Sequence, residues 1–122
     1  VERIPVLRVG EILVVSIQVD LHDHLAEALQ EDIGKAIDRW SAQGVLIDIS
    51  GLDVVDSFIG ATLGRMAEMA KLLGAELVIA GMRPAVAITL VELGVDLPKV
   101  GTAMNVDRGL AMLRHSLKRR GL

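Results

Sequence analysis

Short runs of aliphatic and β-branched residues alternate along this chain with longer segments whose apolar residues recur every three or four positions, and that alternation is what most restricts the fold. Ile12-Leu13-Val14-Val15, Val45-Leu46-Ile47 and Leu77-Val78-Ile79 are each too short for a helix and apolar on both faces, as strands buried beneath helices are. Between them lie amphipathic stretches. The pattern implies an α/β fold with a mostly parallel sheet. Residues 1–122 read as one domain, long enough for a real core and too short for two.

Read in order, Ile4 to Val9 and Ile12 to Val19 form two strands joined at Gly10-Glu11, since a leading glycine suits a two-residue hairpin. Pro5 lacks a ladder donor and places the first strand at an antiparallel edge. Asp20 to His24 opens a helix with Asp23 as its natural cap. Leu25, Ala28, Leu29, Ile33, Ala36, Ile37 and Trp40 make its buried stripe, and Glu31 and Lys35 pair at i, i+4. Val45 to Ile49 is a buried strand. Glu76 to Ala80 is another, Arg83-Pro84 starts a helix with Val86, Leu90, Val91 and Leu93 inside, and Lys99-Val100-Gly101 is a short last strand. Asn105 or Asp107 caps the closing helix, whose stripe is Val106, Leu110, Leu113 and Leu117. The expected order is β-β-α-β-α-β-α-β-α, with about four helices packed on the sheet.

The segment from Asp53 to Gly74 says most about function. Asp56 and Ser57 are both good N-cap residues. Ile59, Leu63, Met66, Ala70 and Leu73 draw an apolar stripe, with Thr62, Arg65, Glu68 and Lys71 opposite and Gly74 at the left-handed C-terminal cap. Ser57 therefore stands at the positive end of a helix dipole, where backbone N–H groups lack intrahelical partners. It is either a simple cap or a site where phosphate could be carried: a phosphoserine adds about −1.5 to −2 charges, which a helix N-terminus stabilises by roughly 0.3–2 kcal/mol. Functional loops of parallel sheets gather at the carboxyl ends of the strands. Residues 50–57 and 81–84 follow consecutive strands and are expected to share one edge.

Other chemistries fit poorly. With 13 basic and 16 acidic side chains the net charge is −3, and Phe58 and Trp40 are the aromatic residues, which argues against general nucleic-acid binding and base stacking. The chain contains no cysteine, which removes thiol catalysis and thiolate metal sites. His22, Asp23 and His24 cluster at a helix start but lack an evident fourth ligand. The basic residues Arg114, Lys118, Arg119 and Arg120 near His115 complement a helix C-terminus. Ser57 has no flanking glycines of a nucleophile elbow, and no phosphate-binding loop occurs. A receiver domain would use Asp48 or Asp53, yet the acidic pair it needs after its first strand is absent. No apolar run reaches the ~20 residues of a spanning helix, and no signal peptide is expected. A cytoplasmic location is expected, with no cofactor, metal, nucleic acid or membrane partner.

At Val55-Asp56-Ser57-Phe58-Ile59-Gly60, with Leu72-Leu73-Gly74-Ala75 and Ile79-Ala80-Gly81-Met82-Arg83-Pro84, the chain resembles a STAS domain of the bacterial anti-sigma factor antagonists, most of all the RsbS-type antagonists of the stressosome. The resemblance runs nearly end to end. It implies a non-enzymatic scaffold in a bacterial stress response, phosphorylated on Ser57 by a serine kinase of the RsbT type, which it holds until modified. Asp56 and Phe58, with Gly81, Met82, Arg83 and Pro84, would flank the site or bind the partner. It further implies assembly with RsbR-type STAS paralogues, as a homodimer or something larger. Phe58-Ile59 departs from the small residues of sporulation-type antagonists, which resemble Asp-Ser-Ser-Gly-Leu-Gly there. Two other readings remain: a direct antagonist of an anti-sigma kinase, and a small-ligand or nucleotide-handling enzyme.

Overall fold

The computed structural model describes residues 3–94 and 100–120. Among them, five strands and four helices run in the order β1 (Leu7–Val9), β2 (Ile12–Ser16), α1 (Asp23–Trp40), β3 (Gly44–Asp48), α2 (Ser57–Leu72), β4 (Glu76–Ala80), α3 (Pro84–Glu92), β5 (Gly101–Ala103) and α4 (Val106–Arg119). The sheet keeps this order in space, β1-β2-β3-β4-β5, with β1 antiparallel and the rest parallel. The α/β reading holds in order and pairing.

Alternation along the strands sorts the helices. Leu13, Val15, Val45, Ile47, Leu77 and Ile79 face one side and pack with apolar residues of α1, α2 and α3. Ile12, Leu46, Val78 and Ala80 face the other, where Leu113 and Leu117 of α4 cover them. Side chains of period two thus build a three-helix layer on one face and a single helix on the other. Gly109 is needed for that single helix to lie close: a Cβ there would come within 2.5 Å of the Leu46 side chain.

Several sequence expectations are corrected. Pairing in β1 begins only at Leu7, so Pro5 precedes the edge strand instead of lying in it, and β2 stops at Ser16. The cap of α1 is His22, whose imidazole Nδ1 accepts from Leu25 N–H, while Asp23 sits in the first turn where its charge suits the dipole. Trp40 is 38% exposed at the end of α1. Its ring carries the guanidinium groups of Arg8 and Arg39, 5.7 and 5.2 Å from the centroid. Ala28 is only half-buried, whereas Ala26 is buried.

Thr62 was expected on the outer face of α2 but is 1% exposed. Its hydroxyl donates to the Phe58 carbonyl (2.8 Å) and accepts from Arg65 Nη2 (3.1 Å), so the polar atom is satisfied one turn back and the residue can be buried. Leu73 is exposed because it is already the C-cap. Beyond it, Gly74 at φ 84° lets Gly74 N–H reach the Lys71 carbonyl and Ala75 N–H reach that of Ala70, a Schellman ending. Val91 and Leu93 are exposed, because α3 is nine residues long and places Val86 and Leu90 on its buried side. The last strand is Gly101–Ala103; of the expected Lys99-Val100-Gly101, Lys99 lies outside the described residues.

Candidate functional site

Three consecutive strands deliver their carboxyl ends to one edge, and the loops leaving them touch. The connection after β3 begins on an Asp48 carboxylate that accepts from Ser50 N–H (3.0 Å), turning the chain sharply. Asp48 also accepts a long bond from Ser16 Oγ (3.5 Å), which in turn accepts from Gln18 Nε2 (2.6 Å). Exits of β2 and β3 are thereby linked. Gly51 fits between them: a Cβ on it would lie 2.8 Å from the Ile17 carbonyl and 2.9 Å from Gln18 Oε1. Leu52 and Val55 then turn inward and are buried, leaving Asp53, Val54, Asp56 and Ser57 exposed. Val54 is 79% exposed at the tip.

The loop after β4 closes on this one from the side. Gly81 has φ 77°, a left-handed value that glycine takes without strain. A Cβ there would be 2.8 Å from both Asp48 Oδ1 and Ser50 Cβ, so close approach also requires glycine. Met82 is half-buried against the main core. Arg83 precedes Pro84, which holds its backbone extended at φ −77° and ψ 149°. Its Nη1 pairs with the Asp53 carboxylate, and its Nη2 donates to the Ser50 carbonyl (2.9 Å). One guanidinium therefore grips a side chain and a backbone oxygen of the neighbouring loop.

At the start of α2 the choice between Asp56 and Ser57 as cap is resolved. Asp56 is the N-cap, extended at φ −113°, and its carboxylate accepts from Ile59 N–H (2.9 Å). Ser57 is the first helical residue and is exposed. Phe58 turns in and packs against the core, as does Ile59. The result is an exposed hydroxyl at a helix N-terminus, flanked by an acid that already serves one backbone donor. An incoming oxyanion at Ser57 would meet the positive end of the dipole, with the negative charge of Asp56 beside it.

The expected neighbours Asp56, Phe58, Gly81, Met82, Arg83 and Pro84 all belong to the two adjoining loops or the helix starts that follow them. Asp53 and Ser50 fall within the segment 50–57 expected at this edge, but nothing in the sequence pairs either of them with Arg83. Their signal was faint: an Asp on a loop five residues past a strand identifies no partner until the sheet order is known. Among the described residues no group of three His, Asp or Glu residues is placed to hold a metal ion, and no helix is long and apolar enough to cross a membrane.

A family model for the STAS domain matches residues 3–108. In sequence the chain is 35% identical over 85 residues to the RsbT co-antagonist protein RsbRA of Bacillus subtilis (strain 168), covering 70% of this chain and 31% of that protein. The chain spans about a third of the length of the curated relatives it matches first. In structure it is similar to a serine-to-glutamate variant of RsbS from Moorella thermoacetica, with a TM-score of 0.84 and 38% identity over 94% of this chain and 97% of that one. A chain from the molecular architecture of the stressosome, a signal integration and transduction hub, aligns with a TM-score of 0.82 and 41% identity, over 93% of this chain and 98% of the other.

Proposed function

The chain belongs to the STAS domain family, and from that premise we propose that it is a stressosome antagonist that holds a serine kinase of the RsbT type until Ser57 is phosphorylated. The observation that carries the proposal is the division of labour at the start of α2. Asp56 supplies the cap and Ser57 is exposed at the first helical position. A hydroxyl placed this way is accessible to a kinase, and its modification leaves the Asp56–Ile59 cap bond in place. The fold tolerates the phosphate. A partner packed over the loop does not, because about −1.5 to −2 charges would arrive beside Asp56 in a partly desolvated contact. Each ~1.4 kcal/mol of that repulsion lowers affinity tenfold.

The relatives support the choice of partners. A co-antagonist of RsbT and an RsbS are related to the chain in sequence or structure, and a stressosome chain shares its fold at 41% identity. On this reading the domain assembles with RsbR-type STAS paralogues in a larger complex and acts by binding, without catalysing a reaction, in the cytoplasm of a bacterial cell. Ser57→Ala should keep the kinase bound without release. Ser57→Asp should weaken the complex only in part, since one charge replaces about two.

The test is to incubate the protein with ATP and the kinase and locate added phosphate by mass spectrometry. Phosphate on Ser57 together with loss of the kinase complex supports the proposal. An unmodified Ser57 in a kinase complex that persists, or phosphate elsewhere, overturns it.

A further inference from the structure

Arg83 is placed at the start of α3 but does not serve that helix: it makes no side-chain cap there. An arginine has donors only, so it cannot accept from the free N–H groups of a helix start. Its guanidinium is spent across the gap on the Asp53 carboxylate and the Ser50 carbonyl. Those two residues lie in the loop that carries the chain from β3 to Ser57. On its inner side this loop is held by buried Leu52 and Val55 and by the turn on Asp48. On its outer side Arg83 grips it through an ion pair whose side chains are 53% exposed for Arg83 and 75% exposed for Asp53.

We infer that Arg83 is a positioning residue for Ser57: its clasp on Asp53 and the Ser50 carbonyl holds the loop at residues 50–56 in the form a kinase recognises. The inference rests on the reading of Ser57 as the modified residue. It adds that the rate of modification is governed from the neighbouring strand's loop, by a side chain that is not itself modified. Without the clasp the loop spends part of its time in other forms, and the apparent affinity falls by the fraction lost. KM for this protein as kinase substrate then rises while kcat is kept.

Two measurements on the whole chain test this. Hydrogen exchange, followed peptide by peptide, should quicken about two- to fivefold across residues 50–56 in both Arg83→Gln and Asp53→Asn, the range an exposed pair can supply. Residues 106–119 of α4 should be unchanged. Initial rates of phosphate transfer from labelled ATP by an RsbT-type kinase should show KM raised in both variants, by a smaller factor than the exchange because KM follows the competent fraction, with kcat unaltered. The exchanged pair Asp53→Arg with Arg83→Asp should recover most of both losses. Unchanged exchange in residues 50–56 overturns the clasp. A KM raised by Arg83→Gln but not by Asp53→Asn, with no recovery in the exchanged pair, also overturns it and makes Arg83 a direct kinase contact. If the unsubstituted protein takes no phosphate on Ser57, the functional reading fails and the control of modification falls with it, while the exchange data still judge the clasp separately.

Discussion

The helices α2 and α3 start side by side at the same sheet edge, and they solve the problem of a helix N-terminus in opposite ways. At α2 the extended residue is Asp56, which turns its carboxylate back onto Ile59 N–H and completes its own helix. At α3 the extended residue is Arg83, which leaves its helix uncapped by any side chain and reaches into the other loop. A helix that begins with proline can do this more cheaply, because Pro84 has no N–H to satisfy. The first start is self-contained and displays Ser57. The second lends its side chain to hold that display in place.

The comparison breaks most severely at Gly81, which packs against the neighbouring loop at Asp48 and Ser50. Gly81→Ala forces a side chain into a left-handed backbone and against Asp48 and Ser50, and should cost about 2–4 kcal/mol in urea unfolding. A loss below about 0.5 kcal/mol would mean that the loops part without strain. Next come the two residues at the start of α2. Asp56→Ala should cost about 1 kcal/mol and Asp56→Ser far less, whereas Ser57→Ala should stay within about 0.5 kcal/mol of the parent. The reverse ranking would make Ser57 the cap.

Smaller still is the clasp. Arg83→Gln or Asp53→Asn should each change equilibrium stability by less than about 1 kcal/mol, because the pair is exposed, even though both alter the loop. Stability losses as large as that of Gly81→Ala would show that the bond supports the core. The smallest effect lies far from the site, where Arg3 donates two hydrogen bonds to Asp32 on α1 (2.8 and 3.0 Å). That bonding, ahead of the charge of Arg3 itself, holds the Asp32 carboxyl below its usual range. Its folded pKa is therefore lower than its unfolded one. The stabilisation is present above about pH 4 and fades as the pH falls through the depressed value. Asp32→Asn should lower thermal stability slightly near neutrality, flatten the fall of the profile on its acid side, and leave the most acidic end almost unaffected.

Much of this was legible beforehand, and the limits have physical causes. The strands declared themselves because aliphatic runs of this length, bounded by glycine and polar residues, have few other uses. The gathering of residues 50–57 with residues 81–84 followed from parallel order alone. Errors fell at ends and at polar residues with hidden partners. Thr62 looked like a surface residue because its bond to Phe58 is a property of the folded helix, and Val91 looked buried because α3 ends one residue later. Asp56 and Ser57 could not be ranked as caps from composition, since both residue types serve equally well. The Arg83–Asp53 pair spans 30 residues, and no local pattern announces such a contact.

The central claim is that charge on Ser57 dissolves a complex that the bare hydroxyl permits. The direct measurement is the Kd of the RsbT-type kinase for this protein, unmodified and phosphorylated on Ser57, by titration calorimetry with a nonhydrolysable ATP analogue present. The account predicts a Kd raised at least about tenfold by the phosphate, with the fold intact by circular dichroism. Equal affinity for the two forms would contradict it.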